Sequence, residues 1–328
     1  MKPDFSDPWL EGALSSEASL PALRAAVAAA PDDLAARQLF LGALFKWDPT
    51  YAGCSDEHLN EALWWIKRHP GHPGANAVAR QFASAGGTSY SAVRAAWQQA
   101  LEQSNVDPEV RIHAACFSGI QEPEWSCTLL EQAHVLDSKS DKAASLLGNT
   151  YLRMSRPSRR SGRTQVDHNL ALKALEWFEI ALKITRNPNS VTWAGTAAFG
   201  AGLDDKALAY AEELLNNFAV GRFGSIDGDA VFHGHNLLGR VALRRGDEAE
   251  ACRELLESAR THGSPVLGSF GPELALAKEL LAKGHREPVL QFLIECQRFW
   301  KHHRATVERW CNELRAGCTP TFERGPPE

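Results

Sequence analysis

The chain has 328 residues, of which 44% are hydrophobic and 23% are charged, an ordinary composition for a folded soluble protein. Alanine and leucine dominate, and runs of the β-branched residues typical of strands are nearly absent, so we predict an all-α fold. The formal charge of −5 argues against a protein that coats nucleic acid. No stretch is both long and apolar enough to span a bilayer, which argues against a membrane protein.

The first residues and the cysteines indicate the compartment. Residues 1–9 include Asp4 and Asp7 and lack the apolar core of a secretory signal. Seven cysteines, an odd number with no Cys-x-x-Cys pair, are typical of free thiols in a reducing environment. We therefore expect a cytoplasmic protein.

The two ends of the chain are predicted to cap a longer helical array. Residues 1–33 contain an opening helix that ends before Pro31, and residues 301–328 contain a closing helix followed by a disordered, Pro-rich tail. An uncapped array would expose an apolar face, so both caps are expected. A weakly capped end would also allow self-association.

Between these caps, residues 34–300 repeat one pattern, which is clearest around Gly239. This glycine is small where a neighbouring helix must approach closely, while Gly246 and Asp247 end one helix and begin the next. Small and apolar residues then recur on one face of the second helix. The first of these residues is Ala251. The equivalent position recurs along the chain at intervals of 31 to 48 residues: Ala62, Val93, Ser126, Ala174, Ala207, Ala251 and Val289.

This pattern resembles the tetratricopeptide repeat (TPR) family, whose units recur at about 34 residues. The resemblance covers residues 34–300 and implies a right-handed superhelical solenoid of about seven antiparallel helix pairs. The proline that usually ends a unit is present at Pro70, Pro108 and Pro188, whereas the usual aromatic residue of the first helix is mostly absent. The longer intervals predict a basic insertion over residues 153–169 and a Gly-rich insertion over residues 219–232.

The resemblance also implies a function. Proteins of this family use the first helix of each pair to line a concave groove that holds a segment of another protein, so we expect a non-catalytic scaffold that binds a partner protein or peptide. The positions that line such a groove here are Asn149, Arg153, Thr196, Asn236, Arg240, Arg244 and Lys278. Because four of the seven are cations, we expect an acidic segment or a terminal carboxylate as the ligand. Ordinary solvated side chains are the alternative.

The basic insertion offers a second candidate surface, formed by Arg156, Arg159, Arg160 and Arg163. It lacks the interleaved aromatic residues on which single-stranded nucleic acid stacks, so nucleic acid is not the expected partner. A solvated loop, or a loop controlled by phosphorylation of its serines, remains an alternative.

Motifs for metal binding and catalysis are missing. His233 and His235, like His302 and His303, are too close in sequence to share a helix face. The nucleophile elbow, the phosphate-binding loops and the His-Glu-x-x-His motif are all absent from the sequence. We predict no catalytic residue, no metal site and no cofactor.

Two other functions stay open at this point. An inhibitor or immunity-type protein would grip a whole folded toxin or enzyme, with an interface above about 1,200 Å². An enzyme, or the helical accessory domain of one, would have a pocket near residues 221–235, where Gly and His residues cluster.

Overall fold

A computed structural model describes residues 8–47, 55–84, 87–103, 107–158, 162–219 and 227–322. These ranges contain eighteen α-helices and no β-strand, which confirms the predicted all-α class. The chain divides into two compact units, residues 1–143 and residues 144–328. No helix in the described ranges is long and apolar enough to cross a membrane.

The helices of the first unit are short and mostly begin at a capping residue or a proline. They are α1 (Pro8–Leu14), α2 (Leu20–Ala29), α3 (Leu34–Trp47), α4 (Asp56–Arg68), α5 (Pro73–Gln81), α6 (Gly87–Gln103), α7 (Pro108–Ser118) and α8 (Pro123–Leu136).

The second unit holds the remaining helices, of which the first, α9, begins three residues before the unit does. Its helices are α9 (Asp141–Ser155), α10 (His168–Ile184), α11 (Pro188–Gly200), α12 (Asp204–Glu213, extended by a π-turn over Leu214–Phe218), α13 (Asp227–Arg244), α14 (Glu248–Ala259), α15 (Pro265–Phe270), α16 (Ala275–Ala282), α17 (Arg286–Cys296) and α18 (Arg304–Arg315).

The predicted helix pairs are confirmed by burial. All seven repeat-marking residues lie on the second helix of a pair and are at most 1% exposed. The pairs are α3/α4, α5/α6, α7/α8, α9/α10, α11/α12, α13/α14 and α16/α17. Each second helix therefore buries its small or apolar face in the core. Burial of apolar surface is the dominant stabilising contribution in such a fold.

The boundary between paired helices follows from local chemistry at Gly246 and Asp247. Gly246 has a φ of +88°, a conformation that glycine adopts without steric cost. The Asp247 carboxylate accepts a hydrogen bond from the backbone N–H of Glu250 and caps α14. Pro108 and Pro188 instead occupy the first turns of α7 and α11, where the missing N–H of proline costs nothing.

Close helix contact explains why Gly239 is small. A Cβ at this position would lie 2.5 Å from the Leu276 side chain, so a larger residue would force this leucine on α16 to move. Gly148 plays the same part, because a Cβ there would lie 2.7 Å from the Phe178 ring. The predicted close approach at Gly239 is confirmed.

The expected Gly-rich insertion over residues 219–232 differs from the structure. Helix α13 begins at Asp227, so residues 227–232 are helical, and residues 220–226 lie outside the described ranges. Gly228 is a packing residue, since a Cβ there would lie 2.0 Å from the carbonyl oxygen of Gly263. Glycine composition suggested a loop where the chain in fact needs close backbone contact.

The basic insertion is also shorter than expected. Helix α9 includes Arg153 and ends at Ser155, and α10 begins at His168. Between them, Ser158 and Arg163 exchange backbone hydrogen bonds of 2.9 and 3.2 Å. This small bridge gives the described part of the loop a defined backbone.

The predicted caps are present, with one addition. The opening helix is α2, which ends before Pro31 as expected, and the closing helix is α18, which lies within residues 301–328. Helix α1 precedes α2 and packs on α3, an element that the sequence pattern did not predict. The tail beyond Phe322 lies outside the described residues.

Candidate functional site

Three first helices of the second unit, α11, α13 and α16, pack side by side. Five of the predicted groove residues lie on them: Thr196 on α11, Asn236, Arg240 and Arg244 on α13, and Lys278 on α16. Asn149 and Arg153 lie on α9 and are exposed. We call the surface formed by α11, α13 and α16 the second-unit face.

Arg240 is already engaged within the protein. Its guanidinium donates to the Glu279 carboxylate at 2.8 Å, which joins α13 to α16. The same guanidinium lies 4.4 Å from the centroid of the Phe199 ring. An ion pair and a cation–π contact of this kind hold neighbouring helices together, so the charge of Arg240 is largely compensated.

Arg244 is engaged in the same way. It donates to the Asp204 carboxylate at the start of α12 and, at 2.8 Å, to the carbonyl oxygen of Phe199. Its guanidinium also covers the Phe199 ring at 3.7 Å. Burial lowers the pKa of Arg244, and nearby Glu279 opposes that shift. Arg240 and Arg244 therefore stack on one aromatic ring and serve the packing of the unit.

Lys278 is a different kind of cation. It is exposed on α16, and no carboxylate among the described residues forms an ion pair with it. Its ammonium lies 5.7 Å from the centroid of the Phe322 ring. Of the cations predicted on α13 and α16, Lys278 is the one whose charge the described residues leave without a carboxylate.

The centre of the second-unit face is a small polar site around Asn236. The site is lined by Thr192, Thr196, His233, Asn236, Arg240 and Glu273, with Leu214 and Leu237 beneath them. We call it the Asn236 site. His233, Asn236 and Arg240 follow at helical spacing and therefore share one face of α13.

Asn236 carries the unusual feature of this site. The side chain is only 3% exposed, and its amide nitrogen Nδ2 makes no hydrogen bond with any described residue. A buried donor without an acceptor costs about 1–3 kcal/mol of stability. The enclosed space beside it is about 10 Å³, which is room for a single water-sized group.

The neighbours of Asn236 offer acceptors. The hydroxyl of Thr192 donates to the Pro188 carbonyl at 2.9 Å, and that of Thr196 donates to the Thr192 carbonyl at 2.9 Å. Both protons are used within α11, so the oxygens present lone pairs to other donors. The site thus combines one free amide donor with hydroxyl acceptors.

Burial lowers the pKa of His233, while the carboxylates of Glu273 and Asp229 oppose that shift. His235 points elsewhere and contacts the Glu254 carboxylate on α14 at 2.8 Å. The two histidines diverge, as expected from their spacing.

The enzyme alternative would need a pocket near residues 221–235, and the space is small where the structure describes it. The Asn236 site includes His233, but its 10 Å³ is far below the roughly 300–1,000 Å³ of pockets that hold small substrates. Residues 221–226 lie outside the described ranges. In those ranges, no three His, Cys, Asp or Glu side chains converge in a way that would hold a metal ion.

The basic loop presents fewer free cations than its sequence suggests. Arg163 donates to the Met154 carbonyl and lies 3.6 Å from the Asp167 carboxylate, so it ties the loop to its own helices. Arg156 is exposed. Arg159 and Arg160 lie outside the described residues.

Sequence reasoning missed three members of the Asn236 site: Thr192, His233 and Glu273. Two of them could have been found from spacing. Thr192 lies one helical turn before Thr196, and His233 lies one turn before Asn236. Glu273 precedes α16 in an irregular segment, and no periodic pattern indicates its position.

Comparisons with known proteins concern the fold alone. No family model matches the chain, and no curated protein sequence matches it. Among solved structures, YrrB, described as a TPR protein with an unusual peptide-binding site, is similar over 65% of this chain and 96% of its own, with 19% identity and a TM-score of 0.37.

Two further structures show similarity of the same kind. The Cut9–Hcn1 hetero-tetramer of the APC/C matches at 14% identity and a TM-score of 0.45, over 94% of this chain and 53% of that one. The TPR domain of P58(IPK) matches at 14% identity and a TM-score of 0.24, over 93% and 94%. Seven helix pairs with small residues at the packing positions give this chain a TPR-like helical-repeat fold.

Proposed function

We propose that this protein is a non-catalytic scaffold that binds an extended segment of another protein on its second-unit face. The observation that carries the proposal is the buried Asn236 amide, whose donor has no acceptor among the described residues. A segment that placed a backbone carbonyl against this donor would relieve its desolvation cost. Hydrogen bonding of this kind fixes the register of an extended ligand without reading its sequence.

The acidic character proposed for the ligand rests on Lys278. Arg240 and Arg244 already pair with carboxylates, so they add little net attraction for an acidic group. Lys278 has no such partner among the described residues and lies on the adjacent helix. We therefore assign the backbone contact to Asn236 and the contact with a side-chain or terminal carboxylate to Lys278.

Access to Asn236 requires a side chain to move, and Glu273 is the one placed to do so. Glu273 lines the Asn236 site, is exposed, and forms no ion pair with a described residue. Rotation of an exposed glutamate costs little, because its rotamers are close in free energy. An incoming segment would displace this side chain and leave the helices in place.

The test is quantitative affinity capture from the native host with mass spectrometry. Wild-type bait is compared with Asn236→Leu, which removes the amide donor, and with Lys278→Glu. The control is Lys301→Glu, the same change at an exposed lysine on a short 3₁₀ turn before α18. We expect a partner that the wild type and the control retain, and that both face variants lose at least tenfold.

Retention of the same partner by all four proteins would contradict binding on the second-unit face. All baits must show cooperative unfolding and unchanged far-UV circular dichroism, so that loss of capture reports on the face. Synthetic segments of the captured partner are then tested for binding to the purified protein. A segment that binds as tightly as the whole protein supports an extended ligand, whereas binding by the folded partner alone contradicts it.

A further inference from the structure

The first unit contains a cavity that the proposed scaffold function does not use. It is open to solvent and has a volume of about 520 Å³ between α1, α3 and α5, within the range of roughly 300–1,000 Å³ typical of small-molecule pockets. The rings of Trp9 and Phe45, with centroids 5.4 Å apart, form an aromatic wall. Ala77 on α5 faces them, and the surface is mainly apolar. We call this the Trp9 cavity.

The position of Trp9 is fixed by an unusually close helix crossing. A Cβ at Gly12 would lie 1.9 Å from the Leu39 carbonyl oxygen, and one at Gly42 would lie 2.0 Å from the Trp9 carbonyl oxygen. Backbone therefore packs on backbone where α1 crosses α3. The Trp47 indole nitrogen also donates to the Ser15 carbonyl at 3.0 Å. The aromatic wall is thus held by the backbone packing of α1 on α3.

A positive charge lies at the rim of the cavity. Arg80 is exposed at the end of α5, and no carboxylate among the described residues pairs with it. The described residues that line the cavity include two amides, Gln38 and Gln81, and no acid. Arg94 in the same unit, by contrast, forms an ion pair with the Glu122 carboxylate at 2.7 Å.

We propose that the Trp9 cavity binds a small amphiphilic anion, with an aromatic or aliphatic body against Trp9 and Phe45 and one carboxylate at Arg80. An apolar body gains free energy in proportion to the area it removes from water. A carboxylate forms paired, charge-assisted hydrogen bonds with a guanidinium, and the two glutamines can donate to its remaining lone pairs. The site is separate from the second-unit face and takes a different class of ligand.

The test uses two compounds of nearly equal shape, 1-naphthaleneacetate and 1-naphthaleneacetamide, titrated into the full chain by isothermal calorimetry. We expect the carboxylate to bind at least tenfold more tightly than the neutral amide, because a hydrogen bond to a charged group is the stronger one. Arg80→Gln should abolish this preference. Arg68→Gln, which removes an exposed arginine outside the cavity, should preserve it.

A second variant tests the cavity itself. Ala77→Leu fills the space with a larger apolar side chain and should remove binding of both compounds, while the melting temperature and circular dichroism stay unchanged. Equal affinity for the acid and the amide would overturn the proposal, as would acid binding that survives both Arg80→Gln and Ala77→Leu. Absence of binding up to about 1 mM of either compound would also overturn it, as would binding of apolar acidic peptides alone.

Discussion

The first helices of the two units solve the same packing problem but leave different surfaces. In the first unit, α3 and α5 together with α1 form a mainly apolar pocket that opens to solvent, and one cation at its rim has no carboxylate partner among the described residues. In the second unit, α11, α13 and α16 leave almost no space, and the arginines of α13 are paired with carboxylates. The Trp9 cavity offers volume, whereas the Asn236 site offers polar groups in fixed positions.

The two surfaces differ because a helix outside the repeat pattern packs on the first unit's helices. Helix α1 lies outside the repeat pattern and brings Trp9 against α3, so the first unit gains a wall that paired helices alone would not supply. In the second unit, the described side chains around the Asn236 site leave only about 10 Å³ of space.

The largest loss of stability is expected when a buried ion pair is broken, and breaking a more exposed pair should cost less. Arg37 and Glu61 form a pair at 2.5 Å whose side chains are 8% and 10% exposed, and burial raises the pKa of Glu61. Arg37→Met leaves a buried carboxylate unpaired and should lower the free energy of unfolding by about 3–5 kcal/mol. Arg240→Met breaks a pair with more exposed partners and should cost about 1 kcal/mol.

Urea unfolding followed by circular dichroism measures both variants. Because the chain has two compact units, each transition is fitted separately. Equal losses for Arg37→Met and Arg240→Met would contradict the claim that the pair in the second unit owes its weaker contribution to solvent exposure.

The next effect tests the helix crossing that positions Trp9. Gly42→Ala places a Cβ 2.0 Å from a backbone oxygen, so α1 must shift and stability should fall by about 1–3 kcal/mol. Gly268→Ala is the matched control, because its Cβ would make an ordinary contact at 3.4 Å and alanine favours a helix more than glycine does. Thermal unfolding should show a lower melting temperature for Gly42→Ala alone.

The sequence predicted those features that depend on local spacing. Gly239 was identified as a close-contact position, and the buried stripe of each second helix followed from its period. Partners that are distant in sequence could not be predicted: Glu279 lies 39 residues from Arg240, and Asp204 lies 40 residues from Arg244. The two arginines were therefore expected to be free, although tertiary packing compensates them.

Glycine shows the same limit in another form. Gly228 and Gly246 look alike in sequence, yet Gly246 ends a helix with a positive φ and Gly228 lies inside α13 against the backbone of Gly263. The sequence shows that glycine occupies both positions. Only the fold shows whether the glycine is needed for a turn or for close contact between two backbone segments. Helix α1 and its cavity were missed because one short helix carries no periodic signal.

The smallest predicted effect is a pH dependence at His72, which caps α5. Its ring nitrogen Nδ1 accepts a hydrogen bond from the Gly74 backbone N–H at 3.0 Å. Burial lowers the pKa of His72, and His69 adds to the shift. The unfolded chain therefore takes up the proton first, so stability is complete above about pH 6.5 and declines as the pH falls toward the lower folded-state pKa.

His72→Asn keeps a capping acceptor but does not titrate. The decline in melting temperature below about pH 6.5 should become shallower in this variant. It should not vanish, because burial also lowers the pKa values of His113 and His233. An unchanged pH slope would show that protonation of His72 does not weaken the cap of α5.

The most direct test of the central claim is the thermal stability of Asn236→Leu, because the account holds that this buried amide is kept for a ligand and contributes no stability of its own. Removing an unpaired donor should leave the melting temperature unchanged or raise it, at about 2–4 °C per kcal/mol for a unit of this size. A fall of more than about 4 °C would contradict the account, since it would mean that Asn236 makes a stabilising contact in the free protein.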